Sequence, residues 1–319
     1  MATPNLRAAQ GATDLTALIA AVIAALDRII IGKTGHLKLG VACLLARGHL
    51  LIEDIPGVGK TTLAHALAKV LGLSYQRIQF TSDILPADIL GVSVFRREES
   101  RFEFHRGPVF SQLVLADEIN RATPKAQSAL LEAMEERQVT ADGVTYELPA
   151  PFFVIATSNP AHQIGTFPLP ESQLDRFLMQ IRLGYPAPAE ERELLANGDR
   201  RALIERMQSV LSLDALLRLQ DHVPRVHVSE ALLDYVQAVI AYTRDSGEFV
   251  AGLSPRAGIS LVRAAQAWAL MAGHAGVHPE DVQAVLPGIV DHRLQPAHAS
   301  SIGQDGGAAA AILAAVAVP

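Results

Sequence analysis

The sequence has a single cysteine, Cys43, a single tryptophan, Trp268, and only 5% aromatic residues. One thiol builds neither a disulfide framework nor a cysteine-ligated zinc site, which makes a reducing compartment, the cytoplasm, the expected location. No apolar run reaches the roughly 20 residues that a bilayer crossing requires. The candidates, Ala17 to Leu26 and the charge-free stretch Gly306 to Pro319, both stop short, so no membrane span is expected. The residues before Ala17 include Asp14 and lack the basic-then-apolar order of a secretory leader. A basic surplus is also missing. The 27 Lys and Arg against 33 Asp and Glu leave a net charge of −6, which disfavours a protein that coats a phosphate backbone but leaves room for a local basic patch.

Half of the 319 residues are hydrophobic, chiefly Ala, Leu, Val and Ile. That mixture suits helices packed on parallel strands, and the length suggests about two domains. From Asp14 to Asp27 the residues Leu15, Leu18, Ile19, Val22, Ile23 and Leu26 recur at helical spacing. A second helix is expected over Leu37 to Arg47. Core strands are expected at His49 to Ile52, Tyr75 to Thr81, Leu113 to Ala116 and Phe152 to Thr157, with helices at Thr62 to Leu71, Pro86 to Leu90 and Pro124 to Glu136. Val92 to Phe95 and Arg101 to His105 read as one hairpin. Gln138 to Leu148 reads as another, with Asp142-Gly143 at its turn. After Tyr185 to Pro188 only helical periodicity remains, at Glu190 to Ala196, Leu213 to His222, Glu230 to Asp245, Pro255 to Met271 and Pro279 to Val285. The expected division is an α/β core over residues 1–185 and a helical lid over 186–319.

The run Asp54-Ile55-Pro56-Gly57-Val58-Gly59-Lys60-Thr61-Thr62 follows a short apolar strand and opens a helix. Glycines let backbone N–H groups surround phosphate oxygens. Lys60 can reach the β and γ phosphates, and Thr61 can offer its hydroxyl to Mg²⁺. Asp54 stands where the motif usually has its first glycine. Downstream, the apolar Leu113 to Ala116 ends in Asp117-Glu118. There Asp117 can hold the hydration shell of Mg²⁺ and Glu118 can polarise a water for attack on the γ phosphate. Asn159, at the end of the next strand, could orient that water. Spacing alone assigns no role to Arg176 or Arg256.

These residues resemble the MoxR group of AAA+ ATPases, from about Ile30 to Arg293. The likeness lies in Glu53 to Thr61, Arg106 to Phe110, Ala116 to Ala122, Leu130 to Glu136, Ala156 to Pro160, Leu169 to Phe177 and Leu253 to Ala257. It implies an AAA+ P-loop core of parallel sheet with inserted hairpins, followed by an all-α lid. Lys60 and Thr61 match the Walker A residues, Asp117 and Glu118 the Walker B pair, and Asn159 sensor 1. Arg176 matches the arginine finger that acts on a neighbouring subunit's ATP, and Arg256 the sensor 2 arginine of the lid. Ile31-Gly32 resembles the segment that flanks the adenine. The hairpins resemble the helix 2 insert and the pre-sensor 1 hairpin, for which substrate handling, edge covering and subunit contact all stay open. The resemblance further implies a homo-oligomeric, hexameric ring and a partner carrying a von Willebrand factor A domain.

The expected function is therefore ATP-driven remodelling or maturation of a protein client whose identity is unknown. A nucleic-acid motor or metal-chelatase subunit is the alternative, and a nucleotide-binding scaffold without turnover a third reading. The eleven histidines suggest no metal site, since Gly276 and Pro279 keep His274 and His278 from sharing a helix face. Trp268, Cys43 and the alanine-rich tail, with Ile312, Leu313 and Val316, are expected to serve packing.

Overall fold

The computed structural model describes residues 6–159, 166–197, 200–298 and 307–318. Helix α1 spans Leu6–Asp27, and its expected stripe is the face it buries, with Ile19, Val22, Ile23 and Leu26 inside the core. Helix α2 (Thr34–Leu45) buries Cys43, whose thiol burial pushes up in pKa and leaves unreactive. There follow β1 (Leu50–Glu53), α3 (Lys60–Val70), β2 (Tyr75–Gln79), α4 (Pro86–Leu90), the hairpin of β3 (Gly91–Arg96) and β4 (Arg101–Arg106), and β5 (Leu113–Asp117). Next come α5 (Pro124–Glu136), the hairpin of β6 (Gln138–Ala141) and β7 (Val144–Glu147), β8 (Phe153–Ser158), α6 (Glu171–Leu174) and β9 (Met179–Ile181).

The main sheet is parallel, in the order β2-β5-β8-β1-β9. Both of its faces are covered, so alternate residues of one strand enter different cores. Leu50, Ile52, Leu113, Leu115, Phe153 and Ile155 join the cluster built with α1, α2 and α3. Leu51, Val114, Ala116, Val154 and Ala156 join the other, with Leu130, Leu131 and Met134 of α5. Strand β9 is the member that sequence reading omits, because its three residues are too short to show a period. The hairpins form where expected, with Asp142 at φ +49° and Gly143 at +78° making the second turn. They touch each other through Phe104 and Tyr146, whose rings stack 4.5 Å apart, while Phe95 and Phe102 pair in solvent on the first hairpin.

Beyond β9 the described chain is helical: α7 (Pro188–Asn197), α8 (Arg201–Arg206), α9 (Leu213–His222), α10 (Glu230–Asp245), α11 (Pro255–Ala272), α12 (Pro279–Val290) and α13 (Gly307–Ala315). The Ser254 hydroxyl caps α11 by accepting the Ala257 N–H at 3.1 Å. Helices α8 and α13 are additions to the sequence reading. In α13 Ala308, Ala309 and Ile312 are buried while Leu313 stays exposed. Helix α11 lies on α2 and α12 on β9, so a single apolar cluster runs from the sheet into the helical half, with Trp268 packed against it. Among the described residues no helix is long and apolar enough to cross a membrane.

His49 joins the layers at the amino end of β1. Its Nδ1 accepts the Val154 N–H at 3.0 Å, which leaves Nε2–H to donate to the Met134 carbonyl at 3.2 Å. Burial holds this imidazole neutral, with a pKa of about 4. Because the unfolded chain takes up the proton near pH 6.5, the stability this neutral ring contributes is full above pH 6.5 and declines as the pH falls towards 4. The loss is about 3 kcal/mol. Urea unfolding should show that decline in the wild type and a flatter profile over the same window in His49→Gln.

Candidate functional site

The pairing of β1 with β8 sets Glu53 opposite Ser158, so the loop leaving β1 runs beside Asn159. Gly57 and Gly59 have φ of +90° and +96°, a region that side chains disfavour, and the space where a Cβ would stand is open at both. Gly59 caps α3, which begins at Lys60, and Thr61 and Thr62 occupy its first turn. The Lys60 ammonium is buried against the Asp54 carbonyl at 2.5 Å and Asn159 Oδ1 at 3.1 Å. Desolvation lowers its pKa, against the opposing pull of Asp54, Asp117, Glu118 and Glu53. Asp54 has a function of its own in place of the expected glycine. Its Oδ1 accepts the Ile55 N–H at 2.8 Å and its Oδ2 the Gly184 N–H at 2.7 Å, which pins the loop to the chain leaving β9.

On the other side, β5 delivers Asp117 and Glu118. Asp117 is buried, its Oδ1 accepting from the Thr157 hydroxyl at 2.6 Å and its Oδ2 from Arg77 at 2.6 and 3.0 Å. Glu118 sits at φ +57°, an uncommon conformation for a side-chain-bearing residue that tends to mark functional positions. Its Oε1 accepts from Asn159 at 3.0 Å, and its Oε2 from Gln79 at 3.1 Å and Arg121 at 3.1 Å. Arg77 and Gln79 escape sequence reading because only the β2–β5 register, with Gln79 opposite Asp117, brings them here. The arrangement offers a nest for an anion, a lysine to meet it, a carboxylate with a hydroxyl-bearing Thr61 suited to a hard cation, and a second carboxylate able to accept a proton.

A cleft of about 420 Å³ beside the loop is lined by Ile29, Ile30, Ile31, Lys33, Gly57, Val58, Gly59, Thr62, Pro186, Leu194, Leu195 and Arg200, among others. Ile31, in the segment whose resemblance points to the adenine, lines this cleft. Gly32 packs against the Glu190 carboxylate, and its φ of +71° is a conformation that side-chain-bearing residues disfavour, while Pro56 leads into Gly57 without lining the cleft. Leu194 and Leu195 of α7 give it an apolar wall. The signal for them was a leucine 82% exposed, which burial alone in this chain does not explain.

Arg176 and Arg256 are elsewhere. Both bind Glu135 at the end of α5, Arg256 to Oε1 at 2.5 Å and Arg176 to Oε2 at 3.1 Å. The Arg256 hydrogen bond, ahead of the Arg176 charge, holds the Glu135 carboxyl below its usual pKa. They line a cavity of about 190 Å³ with Arg47, His49, Arg137 and Arg263. It opens at the amino ends of β1 and β9, beside His49 and Leu178, whereas Lys60, Asp117, Glu118 and Asn159 stand at the carboxyl ends of the strands. Arg256 is therefore grouped with Arg176 and not with the loop of its own chain.

Residues 49–179 match the family described as ATPases associated with various cellular activities (AAA), and residues 241–314 match the AAA lid domain. The chain is 44% identical over 281 residues to YeaC of Bacillus subtilis (strain 168), covering 88% of each. It is 43% identical over 276 residues to the chaperone MoxR1 of Mycobacterium tuberculosis, covering 84% of this chain and 73% of that one. A crystal structure of a protein from Cytophaga hutchinsonii superimposes with a TM-score of 0.88 at 34% identity, over 98% of this chain and 99% of the other.

Replacing Asp54 with glycine, the residue more usual in such loops, removes the acceptor of two backbone N–H groups. The expected loss is about 1–3 kcal/mol, read as a lower urea midpoint.

Proposed function

Because the chain belongs to the MoxR family of AAA+ ATPases, we propose that it hydrolyses ATP to remodel or mature a protein client. The observation that carries this reading is the convergence of Lys60, Asp117, Glu118 and Asn159 at the carboxyl edge of three adjacent parallel strands. The open space over Gly57 and Gly59 fits the phosphates, with the N–H groups of the loop and the positive end of α3 facing them. Lys60 would exchange the Asp54 carbonyl for phosphate oxygens. The adenine would lie against Ile31 and the apolar wall of the cleft.

Thr61 and Asp117 provide an oxygen donor set that fits Mg²⁺, which when bound would offset charge on the β and γ phosphates. Thr157 and Arg77 hold the Asp117 carboxylate ready in orientation. Glu118 is the proposed base. Three donors hold its carboxylate, and Oε1, which accepts only from Asn159, keeps a lone pair able to take a proton from water. Asn159, in contact with both Lys60 and Glu118, couples the phosphate end of the site to the base. Glu118→Gln should retain ATP affinity and lose turnover, measured by nucleotide binding beside phosphate release. Turnover at the wild-type rate would remove Glu118 from the base role.

The opposite-edge position of Arg176 and Arg256 supports a site completed between subunits, with both arginines serving the ATP of a neighbour and Glu135 holding them in the meantime. A closed hexameric ring would bring one chain's arginine edge to the next chain's loop. The helical unit over 186–319 then moves against the core over 1–185 as nucleotide binds and leaves. A partner with a von Willebrand factor A domain and a cytoplasmic location complete the proposal. Arg176→Ala and Arg256→Ala should each lower kcat, by ~10³–10⁵-fold for Arg176. Mixing either variant with Lys60→Ala should restore part of the activity, because some interfaces then pair an intact loop with intact arginines. No recovery on mixing would place the arginines outside the neighbour's site.

A further inference from the structure

Far along the chain from Lys60, Asp117, Glu118 and Asn159, the turn between α11 and α12 gathers two imidazoles and a carboxylate. Helix α11 ends at Gly273, in the left-handed conformation at φ +77°, and the chain doubles back so that His278 precedes Pro279 as the cap of α12. The Val277 N–H donates to the His227 carbonyl at 2.8 Å and holds the turn. The result is a closeness that helical spacing does not reveal. The rings of His274 and His278 stack with centroids 4.3 Å apart and planes 21° from parallel.

Asp281, 1% exposed, lies beneath them. Its Oδ2 accepts the His278 backbone N–H at 2.8 Å and faces His274 Nδ1 at 3.0 Å. One ligand nitrogen from each ring and a carboxylate oxygen lie within 4.8 Å of one another, the one such grouping of three His, Cys, Asp or Glu side chains among the described residues.

We infer that His274, His278 and Asp281 bind a divalent transition-metal ion of the zinc class in the helical half of the protein. Two imidazoles and a carboxylate are a donor set that zinc accepts, with bonds of about 2.0–2.2 Å. In a tetrahedral site those bonds set neighbouring ligand atoms ~3.3 Å apart, close to the 3.0 Å between His274 Nδ1 and Asp281 Oδ2. The ion would take the place of the proton shared by these two atoms, and His274 would carry its proton on Nε2 instead. His278 is exposed and reaches the ion by side-chain rotation, leaving the fourth position to water. Neutral rings release no net proton in this exchange. Magnesium prefers an octahedral shell of oxygens, which distinguishes this site from the one at Thr61 and Asp117. The bound ion would tie the end of α11 to the start of α12.

The test is a zinc titration of the full chain, without nucleotide and with excess Mg²⁺, by competition with a chromogenic chelator and by Tm. The wild type should take up one equivalent of zinc and gain in Tm. His274→Ala and His278→Ala should each weaken zinc at least ~10-fold, and the double variant should lose both the equivalent and the Tm gain while keeping its helical circular dichroism. His278→Asn, which retains a capping side chain for α12, should match His278→Ala in zinc affinity. A wild type that takes up no stoichiometric zinc, or a double variant that binds it as tightly as the wild type, would overturn the site.

Discussion

The parallel pairing of β5, β8 and β1 is the constraint on which the rest of the molecule depends. Three chain segments far apart in sequence end at one edge because their registers bring their last residues nearly level, with Ala116 opposite Ala156 and Glu53 opposite Ser158. A slip of one residue in β8 would turn Thr157 away from Asp117 and put Val154 into the wrong core. Hydrophobic packing on both faces enforces the register, and the polar groups at the carboxyl edge inherit their positions from it. The short hydrogen bond between Thr157 and Asp117 then draws on the same alignment that separates the two cores.

Much of this was legible because the physics that forms a buried parallel strand leaves a plain mark. Leu113 to Ala116 and Phe152 to Ala156 are unbroken apolar runs, as strands covered on both faces must be. Asp117, Glu118 and Asn159 were readable as the polar residues that end them. Strand β9 was not, because three residues carry no period. Arg77 and Gln79 were hidden for another reason: on an edge strand their polarity looks like an ordinary solvated face, and only register joins them to the acidic pair. Asp54 read as a departure from a motif until Gly184 supplied its partner. Arg256 could be recognised by its place in the first turn of a helix, yet which edge of the sheet that helix presents it to is a property of α11 packing on α2. His274 and His278 do not share a helix face, as expected, yet the turn between α11 and α12 brings their rings together, a closeness that no period in the sequence shows.

Two kinds of polar link tie the helical half, and the segment that leads into it, to the sheet. At the loop, the Asp54 carboxylate holds Gly184, just beyond the last strand. At the opposite edge Glu135 holds Arg256, and the buried Arg293 of the segment after α12 bonds Asp175 at 2.7 Å and the Phe177 carbonyl at 2.6 Å. Arg176, Asp175 and Phe177 are consecutive with this contact, so a displacement of the helices is transmitted to the arginine edge through a few stiff hydrogen bonds.

The apolar cluster shared by the two halves limits how far they can separate. Leu37 and Val41 on one side and Leu261 and Ala265 on the other belong to the same dry core. Every square ångström wetted there costs about 25 cal/mol. A ligand of micromolar affinity provides about 8 kcal/mol, enough to expose about 300 Å² and no more. In the proposed cycle a nucleotide would therefore slide or tilt these helices without lifting them away, the length of the stroke being capped by the hydration of its own hinge.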